Sequence, residues 1–308
     1  MSLLVDGTSA APTGAPGQPG VLAAPVVAGT RRGRTTSGRR TRIRPGLVAA
    51  GGFLAVVLLA VLWPAALTDV DPLAADPFAV LRPPDGAHWF GTDHLGRDVF
   101  ARVVYGARHS LAIGLAATGL AVTAGVLLGL LAGLAHRIAD EALSRTFDAL
   151  SAFPMLLLAL LFVAVAGPGT ASLIVAIGIA TLPHYARVAR AQTLLVRRAG
   201  YVRQAVAFGS SRFRLVLRHV LPNVVGPVPV LAVIGLGEAI LVASGLSFLG
   251  MGPQPPSPEW GAMLSEARNY LRVAWWGAIL PGVAVTLTVV SLTVLGRHLQ
   301  RRFDGRDG

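Results

Sequence analysis

Long apolar runs separated by short polar segments dominate the chain from residue 47 onward. The first run, LVAAGGFLAVVLLAVLWPAAL (47–67), is long enough to cross a bilayer as a helix at about 1.5 Å per residue. Five further runs cover about 110–135, 149–166, 171–186, 224–245 and 273–296. The pattern predicts an all-α integral membrane protein with six transmembrane helices.

The segment before the first run, residues 1–46, has a different composition. Ala, Pro, Gly, Ser and Thr dominate up to residue 30, and RRGRTTSGRRTRIR (31–44) is strongly basic, so we expect a disordered basic tail. A signal peptide is a competing interpretation. It is disfavoured because the charges begin about 30 residues in and no clear small-residue cleavage site follows the run. An uncleaved first helix is therefore expected.

The distribution of arginine predicts the orientation of the chain. Lys and Arg together number 27 and all are arginine. With the N-terminus inside, six crossings leave 21 arginines in inner segments. The outer segments hold Arg82, Arg97, Arg102, Arg108, Arg268 and Arg272. Because inner loops of membrane proteins are enriched in arginine and lysine, both termini are predicted to be cytoplasmic and residues 68–107 extracytoplasmic. Topology thus accounts for the net charge of +12, and no nucleic-acid partner is expected.

Composition excludes several kinds of chemistry. The absence of cysteine excludes disulfides, thiol catalysis and Cys-ligated metals. The absence of lysine excludes a P-loop, so any ATP must be hydrolysed by another chain. The seven histidines form no close cluster along the sequence. No metal site, cofactor or catalytic residue is therefore expected.

Small residues recur at helical spacing in the second run. Gly125, Gly129 and Gly133 are four residues apart and share one face of a helix. Such a face lets two membrane helices approach closely. The alternative is that glycine is simply frequent in membrane helices, and the pattern alone does not decide between them.

The inner segment between the fourth and fifth runs, 187–222, is long, basic and free of acids. Its apolar positions have helical spacing up to Gly209, and RFRLVLRHVLP then resumes a helix that meets Pro222. Two short helices joined by a glycine turn would form a projection suited to docking on another protein. A solvated basic loop that only sets topology explains the composition equally well.

This inner segment resembles the cytoplasmic signature of ABC-transporter permeases. In YVRQAVAFGSSRFRLVLRHVLPN (201–223), the positions that match the signature are Ala205, Gly209, Leu221 and Pro222. The departures are Arg203 where the family has glutamate, Gln204 at the first alanine, and His219 at an aliphatic position. Arg203 would break one contact, meet a matching acid on the partner ATPase, or mark a diverged subunit.

Further blocks extend the resemblance over roughly 47–303. FGTDHLGRDVFARVVYGARHSL (90–111) is similar to the outer motif of the C-type permease of dipeptide, oligopeptide and nickel importers. The blocks FDALSAFPMLLLAL, YARVARAQTL, LSFLGMGPQPPSPEWGAML and ARNYL follow in the family's order. The resemblance implies the type I ABC importer permease fold, with five transmembrane helices in a core of 108–303, in the inner (plasma) membrane.

The resemblance also implies partners and a role. The partners would be a second permease, two ATP-binding subunits and an extracytoplasmic solute-binding protein, in contact with membrane lipid. The cargo would be di- or oligopeptides, with nickel or another small solute as the alternative. An intramembrane enzyme and a scaffold or receptor are further alternatives, but neither needs a helix pair that docks on an ATPase.

The outer motif holds charged residues close together. Asp93, Arg97 and Asp98, with Gly91, Thr92 and Gly96, form the segment GTDHLGRD. Acid–base catalysis is one interpretation. We favour a structural ion-pair and capping motif that orders the outer loop and helps to receive the binding protein.

Glu238 is an acid inside the fifth run, in VIGLGEAILVASGLSFLG. Because a charge at membrane depth is unfavourable, it is a functional candidate. Related permeases carry a glutamate nearer the LSFLG end, where this chain has Ala243. Glu238 would either line the substrate path and meet a peptide amino group or bond to the partner permease.

Overall fold

The computed structural model describes residues 45–208 and 210–305. Most of the predicted basic tail, residues 1–44, lies outside the described residues, and so do Gly209 and residues 306–308. Within the described ranges every regular element is helical, which confirms the all-α fold class.

The described residues form eleven α-helices. They are α1 (Pro45–Leu62), α2 (Val99–Leu134), α3 (Arg137–Ser151), α4 (Met155–Ala166), α5 (Thr170–Arg198), α6 (Gly200–Ala207), α7 (Arg212–Leu215), α8 (Leu221–Val225), α9 (Val228–Phe248), α10 (Trp260–Ala267) and α11 (Trp276–Asp304). Short 3₁₀ turns occupy Pro64–Ala66 and Arg268–Tyr270, and a π-helical turn occupies Val216–Val220.

Five of these helices are long and apolar enough to cross a membrane, namely α1, α2, α5, α9 and α11. The predicted third span, 149–166, is broken. Helices α3 and α4 meet at an angle of 93°, and the pair gives the sixth span only if both are counted together. Pro154 lies at the break, where it disfavours helical geometry in the residue before it. At 12 residues, α4 is about 18 Å long, shorter than the hydrocarbon core.

Helices α2 and α5 extend more than ten residues beyond the predicted apolar runs. Helix α2 begins at Val99 rather than near residue 110, because the Asp98 side chain accepts a hydrogen bond from the Ala101 N–H and caps the helix. Helix α5 continues to Arg198, past the predicted start of the inner loop at 187. Thr193 and Val196 keep one face of that extension buried. The chain therefore leaves α5 at Ala199.

The packing of α2 on α5 requires the glycines of α2. A Cβ added at Gly129 would lie 2.2 Å from the carbonyl oxygen of Ala186, and one at Gly133 would lie 2.6 Å from Cβ of Thr193. Gly125 faces α5 in the same way. The small-residue spacing thus serves close helix packing, which decides between the two interpretations of this pattern.

A hydrophobic core lies towards the N-terminal end of α2. Trp260 and Trp276 are buried there with Val99 and Val104. The Trp276 ring N–H donates to the carbonyl of Thr92 at 3.0 Å. This bond ties the start of α11 to the predicted outer segment, so α11 and α2 hold the outer motif between them.

Candidate functional site

The outer motif folds into a tight loop against the start of α2. Thr92 and Asp98 form an isolated antiparallel bridge. Gly91 and Gly96 have φ angles of +68° and +75°, a region that favours glycine. A Cβ at Gly96 would also lie 1.9 Å from the carbonyl oxygen of Asp76. Both glycines of the motif are therefore required by the backbone.

Two buried arginines and two half-buried carboxylates form a network beside this loop. The Asp93 carboxylate accepts from Nε of Arg97 at 2.7 Å and from Nη1 of Arg102 at 2.9 Å. The Glu266 carboxylate lies 2.7 Å from Nη2 of Arg97 and 3.2 Å from Nη2 of Arg102. The two arginine side chains are only 3% and 1% exposed. Two positive and two negative charges balance, as a buried network requires.

The remaining acid of the motif, Asp98, has a separate role. Besides capping α2, its carboxylate lies 2.8 Å from Nδ1 of His88. These contacts are those of an ion-pair and capping motif.

Potential ligand atoms of Asp93, His94 and Glu266 lie within 4.8 Å of one another. Both carboxylates already bind the guanidinium groups of Arg97 and Arg102, which supply the positive charge that a cation would bring. Burial raises the pKa of the Glu266 carboxyl and outweighs the opposing effect of Arg97. The carboxylates of Asp93 and Glu266 are therefore paired with arginines of the same chain.

Glu259 is a buried acid that the sequence did not point out. It is fully buried and caps α10, where its carboxylate accepts from the backbone N–H groups of Gly261 and Ala262 at 2.9 and 2.8 Å. The hydroxyl of Ser110 on α2 donates to the same carboxylate at 3.1 Å. The Trp260 ring N–H donates to the carbonyl of Val103. Together these bonds fix α10 on α2.

Glu238 lies midway along α9, and its side chain is exposed on the surface of the single chain. Within the described residues it has no hydrogen bond or ion pair. One turn earlier, Gly235 makes room for the Tyr185 hydroxyl of α5, which would lie 1.9 Å from an added Cβ. An exposed carboxylate at this depth is unfavourable in lipid. Its face of α9 is therefore suited to a water-lined path or a protein partner.

The inner segment that begins at Ala199 contains two helical parts. Helix α6 comes first, and α7, the π-helical turn and α8 follow. The side chains of Val202, Val220 and Val224 are buried in one cluster with residues of α2 and α5. This packing gives the segment a firm attachment to two long helices.

The opposite surface of the segment is open. Gln204 is exposed, Ala205 and Leu221 are half-buried, and Pro222 is exposed in the first turn of α8. Phe208 directly follows α6 and is 88% exposed. Gly209 and the side chain of Arg203 lie outside the described residues. The roles predicted for these signature residues stay predictions.

A further ion pair attaches the amphipathic helix α3 to α5. Arg190 of α5 binds Asp140 through two bonds, Nε to Oδ1 at 2.5 Å and Nη2 to Oδ2 at 2.8 Å. The Arg190 guanidinium lowers the pKa of the Asp140 carboxyl below its ordinary value. The neighbouring Arg197 donates to the carbonyl of Gly133. The ends of α2, α3 and α5 are thus linked near the inner segment.

The family model described as the binding-protein-dependent transport system inner membrane component matches residues 125–306. The chain belongs to this family. The matched region runs from the glycine face of α2 through the inner segment to α11. This member of the family is therefore a multi-pass protein of the plasma membrane and a transport subunit rather than an enzyme.

Curated relatives cover most of this family member. It is 39% identical over 264 residues to the probable D,D-dipeptide transport system permease protein DdpC of Escherichia coli (strain K12), across 86% of this chain and 89% of the relative. It is 39% identical over 259 residues to the dipeptide transport system permease protein DppC of Alkalihalophilus pseudofirmus, across 84% of each chain. The glutathione transport system permease protein GsiD of Pectobacterium atrosepticum is 40% identical, across 83% of this chain and 86% of the relative.

Solved structures share the fold of this inner membrane component. A chain of the MetNI methionine ABC transporter in an inward-facing conformation aligns with a TM-score of 0.53 at 17% identity, over 65% of this chain and 95% of that chain. A chain of an amino acid ABC transporter aligns with a TM-score of 0.50 at 14% identity, over 66% of this chain and 94% of that chain. These matches confirm the predicted type I ABC importer permease fold.

The buried charges of this permease divide into those the sequence suggested and those it did not. Asp93, Arg97 and Asp98 are neighbours in the sequence and meet in the fold as expected. Glu266 joins them from 169 residues away, a separation that no local pattern bridges. Glu259 looks like an ordinary loop acid beside several prolines in the sequence. Only its burial shows that it is part of the structure's core.

Proposed function

We propose that this chain is a permease subunit of an ATP-driven importer for di- or oligopeptides. The observation that carries the proposal is the set of relatives that match most of the chain and are described as dipeptide or peptide transport permeases. Their descriptions favour a peptide cargo over nickel. The chain supplies half of the translocation path, and a second permease supplies the other half.

The inner segment transmits ATP-driven motion to the membrane helices. One of the two ATP-binding subunits docks on the surface that includes Gln204, Ala205 and Phe208, and closure of the two subunits moves the segment. Val202 and Val220, buried against α2 and α5, pass that motion on. The exposed aromatic ring of Phe208 supports this assignment, because buried aromatic anchors dominate the energetics of many protein interfaces.

The exposed face of α9 lines the path, and Glu238 is its charged group. A carboxylate there attracts the ammonium group at the N-terminus of a peptide. The structure supports this role because the carboxylate has no partner within the described residues and lies on an open surface. A bond to the second permease is the alternative role for the same residue.

The outer motif orders the surface that receives an extracytoplasmic solute-binding protein. The neutral network of Asp93, Arg97, Arg102 and Glu266 gives that surface a rigid base. The charges of the network make no direct contact with the binding protein. The contacts fall on the exposed residues around them.

Co-purification tests the coupling role with a matched pair of variants. Phe208→Ala and Phe78→Ala each remove an 88% exposed phenylalanine, one from the inner segment and one from the outer segment. We expect Phe208→Ala to reduce the amount of ATP-binding subunit that co-purifies with the tagged chain, and Gly209→Arg to abolish it. Phe78→Ala should leave it unchanged. If the native chain brings down no ATP-binding subunit in several lipids, the proposal is wrong.

A further inference from the structure

We propose that a phospholipid binds in a groove between α1, α2 and α11, with an acyl chain in the groove and its phosphate on Arg108. The inference depends only on the chain lying in a membrane. It is independent of the cargo and of the ATP-binding partners.

The groove has a volume of about 280 Å³ and an almost entirely apolar wall. Its wall includes Phe53 and Val57 of α1, Val103 of α2, and Val283 of α11. Trp260 also lines it, but the ring N–H of Trp260 is taken up by the carbonyl of Val103. The wall therefore offers dispersion contacts and no free hydrogen-bonding group, which fits a hydrocarbon chain.

The groove opens sideways into the surroundings of the membrane helices. Two of its wall residues, Val56 and Val283, are 53% and 45% exposed. The helices that form it are three of the five long apolar helices. The medium at the opening is therefore lipid hydrocarbon, and an empty groove would lose contacts that an acyl chain restores.

Arg108 lies beside this groove, at the level of the end of α1. Its Nε donates to the carbonyl of Val61 at 3.0 Å, and the neighbouring residues Ala60 and Ala107 belong to the groove wall. The Arg108 side chain is exposed and has no salt bridge to any residue in the described ranges. Guanidinium groups bind phosphate oxygens through charge-assisted hydrogen bonds. The remaining N–H groups of Arg108 are thus available for a phosphate.

The end of α1 places Arg108 at the level of the lipid headgroups. Helix α1 ends at Leu62, next to the carbonyl that Arg108 binds, and the following residue, Trp63, is exposed. Tryptophan is enriched where the hydrocarbon core meets the headgroups. An acyl chain in the groove and a phosphate on Arg108 therefore belong to one molecule.

Charge argues against an apolar helix of the second permease as the occupant of the groove. Such a helix would leave the exposed Arg108 guanidinium without a partner, whereas a phospholipid brings a phosphate together with an acyl chain.

Photo-crosslinking in nanodiscs tests the site on the assembled complex. The probe is phosphatidylglycerol with a diazirine in its acyl chain, and labelled peptides are identified by mass spectrometry. Val283→Trp fills the groove. Val290→Trp is the matched control, on the same helix two turns away, 51% exposed and outside the groove. We expect Val283→Trp to reduce labelling of 53–60, 100–107 and 280–287 by about tenfold, and Val290→Trp to leave it unchanged.

A second pair of variants tests the phosphate contact without altering the groove. Arg108→Gln should weaken retention of phosphatidylglycerol in native mass spectrometry by about tenfold, the loss of one charge-assisted hydrogen bond. Arg272→Gln, which changes another exposed arginine of the predicted outer segments, should not. This pair remains informative if Val283→Trp fails to assemble.

Three results would overturn the inference. Equal labelling of native chain and Val283→Trp would place the lipid elsewhere. Labelling spread evenly over all exposed helices would indicate bulk lipid only. Because the chain has no cysteine, Val56→Cys can be tested alone. Its cross-linking to another protein chain in the complex would show a protein occupant.

Discussion

At the scale of single residues, the molecule keeps its buried acids paired and leaves one intramembrane acid exposed. Glu259 and Glu266 are held by backbone N–H groups and arginines near the outer motif. Glu238 has no such partner among the described residues. Removing a buried paired acid leaves its partners uncompensated and destabilises the fold, whereas an exposed acid at membrane depth is a candidate for function. The same residue type therefore serves two purposes at different places in the chain.

Glu259→Ala tests the structural role. The substitution removes the cap of α10 and leaves two backbone N–H groups and the Ser110 hydroxyl without an acceptor. We expect a loss of about 2 kcal/mol or more in the free energy of unfolding. Glu141→Ala on α3 removes an exposed acid paired only with Arg145 and should lose less than about 1 kcal/mol. Denaturation by SDS in mixed micelles measures both, and equal losses would contradict the assignment.

The pair of Asp140 and Arg190 predicts a pH dependence. The pKa of Asp140 is lowered in the folded protein, so its ionised form is favoured by folding. The stabilisation it gives is present at neutral pH. It is lost as the pH falls below the ordinary value of 3.8 and through the lower folded pKa.

Asp140→Asn should therefore be less stable than the native chain at pH 7, by up to about 1 kcal/mol because the pair is partly exposed. The difference should shrink on acidification below pH 4. Thermal unfolding in detergent at pH 7 and at pH 3 measures it. A difference that grows at low pH would have the wrong sign for this pair.

At the scale of helices, the glycine face of α2 controls how closely α5 packs. Gly129→Ala places a Cβ 2.2 Å from a backbone carbonyl of α5, which cannot move without shifting the helix. We expect it to destabilise the protein by about 1–3 kcal/mol.

Gly119→Ala is the control, on the same helix with no atom within 4 Å of the added Cβ. It should be neutral or stabilising, because alanine favours helix more than glycine does. The free energy of unfolding in mixed micelles distinguishes the two. Similar effects of both substitutions would mean that the glycines matter only for helix propensity.

Sequence patterns predicted the long helices well and their limits less well. Apolar runs located α1, α9 and α11, because hydrocarbon demands a continuous apolar stretch. The extension of α2 back to Val99 was missed, since that part is helical without being strongly apolar and depends on the cap from Asp98. The 93° bend between α3 and α4 was not expected, although Pro154 marks its position.

The candidate sites also contain some residues that the sequence pattern predicts and others that only the fold brings together. The outer motif could be predicted because Asp93, Arg97 and Asp98 are close in the sequence. In the sequence Arg102 is one more arginine of the outer segments, and no local pattern connects Glu266 with the motif. Both reach the network through the packing of α10 on α2, which is a property of the fold. Glu238 was visible from the sequence because an acid interrupts an apolar run.

At the scale of the whole molecule, the face of α9 that carries Glu238 and the outer surface of the inner segment are both exposed. Glu238→Gln distinguishes the two roles proposed for the exposed face of α9. If the residue lines the path, the variant should assemble normally and import peptides with a free N-terminus at least about tenfold more slowly, with less effect on N-acetylated peptides. If it binds the second permease, less of that subunit should co-purify. Glu141→Gln, an exposed acid on α3, should change neither.

We infer that this permease moves peptides when partner subunits hydrolyse ATP. Uptake of radiolabelled dipeptide into proteoliposomes tests it most directly. The vesicles contain this chain with a second permease and two ATP-binding subunits, and the solute-binding protein is added outside. We predict uptake that requires ATP inside the vesicles and the binding protein outside, and that Gly209→Arg abolishes. If a complex that assembles and hydrolyses ATP accumulates no di- or oligopeptide, while another solute is imported, peptide transport by this chain is contradicted.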